Sequence, residues 1–246
     1  MRAARLLRDA GARRDEGAFA VDGAELLREA VAAGIEVEVV LAADPREAEA
    51  ALGGEPAEGP APAPGAAIVA AAPDALRALA ALGQPPRLVA ICRTPPPPPP
   101  GVPPRSLVLA RVAGAGNVGS IVRTAAALGL PRVALTPGCA DPWSRRALRA
   151  AMGATFARGL VATERPLGGA RGPLAAAVPR GGLDPRDLPA DASVVLGSEA
   201  DGLSDAERRA CDLAVTIPAH GFESLNVAAA AAILAWELAR RAQGRA

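Results

Sequence analysis

The sequence predicts an α/β protein with two domains, and three observations lead to this prediction. Strand-like runs alternate with helix-like runs along most of the 246 residues, which is typical of βα units that build a mostly parallel sheet with helices on both faces. A proline-rich run, RTPPPPPPGVPP at 93–104, interrupts the alternation. Residues 105–180 hold 11 Arg against only two acids. We therefore expect a domain over 1–93, an extended linker over 94–104 and a second domain over 105–246.

The N-terminal domain is predicted to be a small α/β unit. In order, we expect a strand, a helix and a strand in GAFAVDGAELLREAVAAGIEVEVVLAA, a strand in AAIVAA, a helix in PDALRALAAL and a strand in RLVAICR. A preceding helix would place Arg2, Arg5 and Arg8–Asp9 on one face. That face is either a phosphate-contacting strip or a solvated surface.

The C-terminal domain continues the alternation after the linker. The predicted strands are SLVLARV, RVALT, a short LVAT, SVVLGSE and LAVTIP, and the predicted helices are 117–129, SRRALRAAMGAT, a start in SDAERRACD and the long SLNVAAAAAILAWELARR. Alternating units of this kind predict a parallel sheet.

Composition and charge exclude several classes of protein. Three widely spaced cysteines, Cys92, Cys139 and Cys211, argue against a disulfide framework or a zinc site and fit a reduced, cytoplasmic setting. No apolar run approaches the roughly 18 residues of a membrane span, and no signal-peptide core follows the N-terminal arginines. The net charge is +1, but the Arg-rich middle of the chain indicates either polyanion binding or a solvated surface.

The run GAGNVG at 114–119 has the G-x-G-x-x-G spacing of a dinucleotide-binding turn. Three details disfavour NAD. Arg111 stands at the end of the preceding strand, where small apolar packing is usual, and the next strand ends in Thr136 rather than in an acid that could bind a ribose. Arg123 would project from the helix on the side that faces the ligand of the loop. These three details favour a ligand other than NAD.

Two later segments place polar residues where strands end. VVLGSEADGLS at 194–204 follows a strand with Gly, Ser and Glu, and VTIPAHGFESLNVAAAAAIL at 215–234 carries Ser224 and Asn226 before a helix. Ligands of α/β sheets bind at the carboxyl ends of strands. The alternatives are that Ser224 or Asn226 only caps the helix and that Glu199 only balances an arginine. The ordered recurrence of such segments favours a site.

Three motifs, NVGSIVRTAAALG, VVLGSEADGLS and IPAHGFESLNVAAAAAIL, resemble the SpoU (TrmH-like) branch of the SPOUT methyltransferases. The resemblance covers about 105–246 and includes RALRAAMGATF. The first domain, from FAVDGAELLREAVAAG onward, is similar to the L30e-like substrate-binding domain of many members. The resemblance implies a parallel sheet with a deep trefoil knot, a rare exception among folds, and transfer of a methyl group from S-adenosylmethionine to a ribose 2′-hydroxyl of tRNA or rRNA. It also implies a homodimer that shares catalytic parts.

The resemblance assigns the site residues. The residues that would cradle S-adenosylmethionine are Leu196, Gly197, Ser198, Gly202, Ile217, Pro218, Ser224 and Leu225. Arg123 matches the essential arginine of the family; Asn117, Glu199 and Asn226 would orient it and the substrate, and Ser224 would position the reactants. No metal is needed, because the sulfonium carries its own leaving group.

The role of Arg123 stays open between two possibilities. A guanidinium is a poor base, so we hypothesise that Arg123 holds a phosphate and stabilises the developing alkoxide, while a role as base is the alternative. His220, the single histidine, is a second candidate base. Ala200, Asp201 and Ala219 depart from the common family pattern at positions that tolerate side-chain changes.

The specific RNA is a separate question. An L30e-like domain favours rRNA of the large subunit, because such domains recognise bent RNA. The alternatives are the same chemistry on tRNA, a non-catalytic RNA-binding module of the same fold, and a nucleotide-dependent oxidoreductase.

Overall fold

The computed structural model describes residues 1–53, 65–79, 85–163, 167, 169–219 and 224–242. Its chain forms two compact units, one of Met1–Pro96 with Trp143–Phe156 and one of Pro97–Pro142 with Ala157–Ala246. The helices are α1 (Arg2–Arg8), α2 (Ala10–Glu16), α3 (Ala24–Ala32), α4 (Pro45–Leu52), α5 (Pro73–Arg77), α6 (Ala115–Ala127), α7 (Arg145–Ala151), α8 (Asp205–Arg209) and α9 (Val227–Ala242). The strands are β1 (Ala18–Asp22), β2 (Val37–Ala42), β3 (Ala67–Ala70), β4 (Leu88–Arg93), β5 (Leu107–Leu109), β6 (Val133–Leu135), β7 (Val161–Thr163), β8 (Leu174–Ala177), β9 (Ser193–Leu196) and β10 (Leu213–Val215).

The first unit contains a mixed sheet with the strand order β1-β4-β2-β3. β4 runs antiparallel to both β1 and β2, whereas β2 and β3 are parallel. The four strands predicted for this part of the chain are confirmed. Helix α3 packs Leu26, Leu27, Ala30 and Val31 into the core, as their helical spacing predicts. Helix α4 is an element that the sequence analysis did not predict.

The N-terminal segment corrects the prediction of one helix with an arginine face. Asp9 has an extended backbone and accepts hydrogen bonds from the N–H groups of Gly11 and Ala12, so it ends α1 and caps α2. Arg2 is bound to the carboxylates of Glu16 and Glu38. These internal ion pairs occupy a side chain that was a candidate for phosphate contact.

Residues Trp143–Phe156 fall within the predicted second domain, yet they pack as part of the first unit. Aromatic packing is one reason: the ring centroids of Phe19 and Trp143 are 4.7 Å apart, and those of Phe19 and Phe156 are 5.8 Å apart. An ion pair is the other, since Nε of Arg145 lies 2.9 Å from Oδ2 of the buried Asp22. The chain therefore leaves the second unit at Trp143 and returns to it after Phe156.

The second unit contains a sheet with the strand order β10-β8-β9-β5-β6-β7, in which every neighbouring pair is parallel. This confirms the predicted parallel α/β sheet. Strand β8 was not predicted. The chain order reverses between β5 and β9, which are neighbours in the sheet, and such a reversal opens a crevice at the carboxyl ends of the strands. The knot stays a prediction.

Part of the proline-rich run packs on the second unit, to which Pro97–Pro104 belong. Arg132 is buried, and its guanidinium donates to the carbonyl oxygens of Pro99 (2.8 Å), Gly101 (2.5 Å) and Gly159 (3.3 Å). Proline lacks an N–H but keeps its carbonyl acceptor, and Arg132 donates a hydrogen bond to the carbonyl oxygen of Pro99. Among the described residues no helix combines the length and the apolarity that a membrane span requires.

Candidate functional site

The site is centred on the start of α6, directly after the buried strand β5. Gly114 is the N-cap residue, and the helix buries Val118, Ile121, Val122 and Ala125 against the sheet. The helical period therefore turns Asn117, Ser120 and Arg123 away from the core. Arg123 is exposed, and no hydrogen bond or ion pair joins it to another residue of the described part of the chain.

Asn117 and Glu199 meet across the crevice between β5 and β9. The Asn117 side-chain amide donates a 2.7 Å hydrogen bond to Oε1 of Glu199, and the Gly114 N–H donates to the same oxygen at 3.3 Å. Desolvation raises the pKa of Glu199, but the hydrogen bonds from Asn117 and from backbone N–H groups outweigh it and hold that pKa below its ordinary value. Glu199 is therefore a charged acceptor that orients Asn117.

Gly114 is required by this contact. A Cβ atom at Gly114 would lie 2.6 Å from Oε1 of Glu199 and 3.0 Å from Nδ2 of Asn117. The first glycine of the G-x-G-x-x-G run therefore makes room for a carboxylate of the protein itself, rather than for the phosphates of a dinucleotide.

The Gly197–Ser204 segment forms a tight turn after β9, and we call it the cofactor loop after the prediction that it binds S-adenosylmethionine. Ser198 and Gly202 exchange backbone hydrogen bonds of 3.2 and 3.0 Å, and Gly202 has a φ of 64°. A Cβ atom at Gly197 would lie 2.2 Å from the carbonyl carbon of Gly202, so only glycine fits. Leu196, which precedes the loop, is buried at the end of β9.

The loop ends in a capping box at the start of α8. The Ser204 hydroxyl accepts from the Glu207 N–H, and the Glu207 carboxylate accepts from the Ser204 N–H. Glu207 also pairs with Arg111, whose hydrogen bond lowers the pKa of the Glu207 carboxyl to about 2. The sequence analysis used Arg111 only as an argument against NAD and missed this pair, because no local pattern links residues 96 positions apart.

The third motif contributes residues at the carboxyl end of β10 and the start of α9. Ile217 is half-buried, and Pro218, Ser224 and Leu225 are exposed. Oδ1 of Asn226 accepts from the N–H groups of Ala228 and Ala229 and so caps α9, as the alternative reading allowed. His220 lies outside the described residues.

The predicted site residues thus fall into two sets, one linked by hydrogen bonds and one without hydrogen bonds to the first. Hydrogen bonds connect Gly114, Asn117 and Glu199, whereas none connects Arg123 or Ser224 to them within the described residues. Chemically, the arrangement offers an exposed guanidinium, an oriented amide and a glycine-lined loop. The described residues contain no group of three or more His, Cys, Asp or Glu side chains that could hold a metal ion.

Comparison with known proteins is consistent with this arrangement. Residues 104–236 match the sequence model of the SpoU rRNA Methylase family. The chain is 31% identical over 173 residues to a 23S rRNA (guanosine(2553)-2′-O)-methyltransferase of Bacillus subtilis, with 67% of this chain and 69% of the relative covered. It is also 31% identical over 199 residues to a 23S rRNA (uridine(2479)-2′-O)-methyltransferase of Streptomyces viridochromogenes, with 72% and 69% covered.

A solved structure is similar over almost the whole chain. It is the SpoU methyltransferase AviRb of Streptomyces viridochromogenes in complex with the cofactor AdoMet, with a TM-score of 0.84, 26% identity, and 98% of this chain and 97% of that chain covered. The similarity therefore extends over both compact units.

Proposed function

The chain belongs to the SpoU rRNA methylase family, and we propose that it transfers a methyl group from S-adenosylmethionine to a ribose 2′-hydroxyl of 23S rRNA. Two relatives named for this reaction align with about two thirds of the chain or more, and a similar structure was solved with AdoMet. The observation that carries the proposal is the joining of Asn117 and Glu199 beside the exposed Arg123, at the carboxyl ends of adjacent strands. This hydrogen bond supports a shared role for the predicted residues at that edge of the sheet.

The residues proposed to hold S-adenosylmethionine line the ends of β9 and β10. The cofactor loop offers backbone groups close to the sheet, because Gly197 and Gly202 carry no side chains. Pro218 and the 43% exposed Leu225 offer apolar surface, which suits an adenine ring. The bound cofactor supplies an electrophilic methyl group with a neutral leaving group. Ser198, Ile217 and Ser224 complete the proposed set.

Arg123 is the residue that we place at the reacting hydroxyl. A ribose 2′-hydroxyl is a weak nucleophile, so the site must favour the charge that develops on its oxygen. A guanidinium stays protonated at neutral pH and presents several donors, so Arg123 stabilises the alkoxide and holds the adjacent phosphate. In this role the hydroxyl proton passes to water. Action as a base is the alternative, in which a neutral guanidine accepts that proton.

Asn117 has its amide nitrogen committed to Glu199. Its amide oxygen is therefore presented as an acceptor in a fixed orientation, which suits a hydroxyl of the substrate. Glu199 acts as the positioning residue of this pair. Asn226, which caps α9, and Ser224 are proposed to position the reactants from the other side of the crevice.

We propose a homodimer that meets through α9. Ala229, Ile233 and Trp236 follow one another at helical spacing, and the last two are 41% and 57% exposed. An exposed tryptophan in an apolar helical stripe is typical of an interface. The substitution Trp236→Glu is expected to give a monomer in sedimentation velocity, whereas Leu183→Glu, at another exposed apolar residue, keeps the dimer. An rRNA substrate also implies a cytoplasmic setting.

The experiment that tests the function measures transfer of labelled methyl from S-adenosylmethionine into total rRNA and, separately, into total tRNA. Incorporation into 23S rRNA at a ribose, shown by nuclease-resistant dinucleotides, supports the proposal. Incorporation into tRNA alone keeps the chemistry and corrects the substrate. Failure with both RNAs, together with intact RNA binding, supports the non-catalytic module instead.

A further inference from the structure

Arg111 has an unusual backbone conformation directly after β5. Its φ is 58°, a left-handed conformation that residues other than glycine rarely adopt without a compensating contact. Its side chain packs beside Gly138, where a Cβ atom would lie 3.2 Å from Cγ of Arg111. The left-handed backbone at Arg111 directs its side chain toward the cofactor loop.

The Arg111 guanidinium binds Gly202 of the cofactor loop and Glu207 of α8, the helix that follows the loop. Its Nε and Nη2 donate to the two carboxylate oxygens of Glu207, at 2.9 and 2.8 Å. Nη2 also donates to the carbonyl oxygen of Gly202 at 3.0 Å. The planar fork of arginine suits such a bidentate carboxylate contact, which the single ammonium of lysine cannot reproduce.

Both partners of Arg111 are themselves hydrogen-bonded to residues of the loop. The Gly202 carbonyl that receives Nη2 also accepts from the Ser198 N–H at 3.2 Å. Oε2 of Glu207 accepts from the N–H and the hydroxyl of Ser204, at 2.7 and 2.8 Å. The single side chain of Arg111, two residues after β5, thus braces the turn at Gly202 and the capping box at Ser204 together.

We propose that Arg111 is a positioning residue for the cofactor loop, and that the affinity for S-adenosylmethionine depends on its clamp on Gly202 and Glu207. This inference rests on the proposed function, because it assumes that the loop binds the cofactor. Arg111 does not touch the reacting atoms. It holds the loop in the conformation that binds, so that less ordering is required when the cofactor arrives.

Arg111→Gly is the most informative variant. Glycine adopts a φ of 58° without strain, so this change removes the guanidinium and leaves the backbone conformation accessible. Arg111→Lys keeps the charge but loses the fork, and Glu207→Ala removes the other half of the clamp. Arg208→Ala is the matched control, because Arg208 lies on the same helix as Glu207 and, among the described residues, pairs only with the exposed Asp205 beside it.

Titration calorimetry with S-adenosylmethionine gives the direct readout, with steady-state kinetics beside it. We expect Arg111→Gly to weaken binding about tenfold or more, the effect of losing hydrogen bonds between charged groups. The KM for the cofactor rises in parallel, and kcat at saturation changes little. Glu207→Ala gives the same defect, the double variant is no worse than either single one, and Arg111→Lys restores binding only in part.

The contrary results are distinct from one another. If Arg111→Gly, folded by circular dichroism, binds S-adenosylmethionine within about twofold of the wild type, the inference is wrong while the proposed function stands. If kcat at saturation falls and binding is unchanged, Arg111 serves the chemical step and the inference is again overturned. If the wild type itself does not bind S-adenosylmethionine, the proposed function fails and this inference fails with it.

Discussion

Oε1 of Glu199 accepts a 2.7 Å hydrogen bond from the Asn117 amide, and this bond joins two motifs that lie 82 residues apart in the chain. The strands that precede the two residues, β5 and β9, are neighbours in the sheet. The bond therefore lies at the point where the strand order reverses, which is the usual ligand-binding crevice of such sheets.

The Asn117–Glu199 bond is expected to matter for turnover more than for cofactor binding. Glu199→Ala frees the Asn117 amide to rotate, and misplacing an orienting group costs roughly 100-fold in rate. We expect kcat for methyl transfer to fall by that order while the calorimetric affinity for S-adenosylmethionine stays unchanged. Asp205→Asn, on the neighbouring helix, is the control. A kcat equal to that of the wild type would remove Glu199 from the mechanism.

Gly114→Ala is expected to destabilise the second unit through one contact. Its new Cβ would stand 2.6 Å from Oε1 of Glu199, so the carboxylate must move and lose its hydrogen bonds. Because Glu199 is exposed and water can replace those bonds, the expected cost is about 1 kcal/mol in the free energy of unfolding. A double-mutant cycle in urea denaturation checks the cause. In the Glu199→Ala background, Gly114→Ala is expected to cost much less; equal costs in both backgrounds would show that the clash lies elsewhere.

Glu207 is expected to make stability depend on pH in the acid range. Its folded pKa is about 2, below its ordinary value of 4.5, because Arg111 binds the carboxylate. The stability that ionised Glu207 contributes to the folded state is therefore complete above about pH 4.5 and disappears as the pH falls toward 2. Glu207→Gln lacks this titration, so its deficit relative to the wild type, about 1 kcal/mol for a partly exposed pair, shrinks between those pH values. A deficit that is constant with pH would contradict the assignment.

Asp22 and Arg145 form an ion pair with side chains only 7% and 14% exposed. Asp22→Ala leaves the guanidinium buried without its main partner, which costs about 3–5 kcal/mol. Urea unfolding followed by the fluorescence of Trp143, in a Trp236→Phe background, measures this loss in the first unit. Asp74→Ala, at the exposed Arg77–Asp74 pair, is expected to cost under about 1 kcal/mol. Similar costs for both would contradict a structural role of the buried pair.

Much of the fold follows from local sequence patterns. Strands β5, β6 and β9 are runs of Val and Leu with at most one small residue, and α9 has a long helical apolar period, so their types are evident without a structure. Strand β8 escaped prediction because its sequence, LAAA, has no β-branched residue and alanine favours helices. Its pairing with β9 and β10 depends on the sheet already present.

The candidate site was predictable to a similar extent. The residues Asn117 and Glu199 were identified from their motifs, and the structure adds the hydrogen bond between them. The clamp of Arg111 on Glu207 was not predictable, because it requires a left-handed backbone and a partner 96 residues away. For the same reason, the packing of Trp143 and Phe156 against Phe19 could not be foreseen from the family-like segment that contains them.

The most direct test of the central claim is methyl transfer into 23S rRNA by Arg123→Ala beside the wild type, with the affinity for S-adenosylmethionine measured on the same preparations. The control is Arg171→Ala, another exposed arginine, placed before β8. We expect Arg123→Ala to lose methyl transfer by about 100-fold or more while it still binds the cofactor, and Arg171→Ala to retain activity. Methyl transfer by Arg123→Ala at the rate of the wild type would contradict the account.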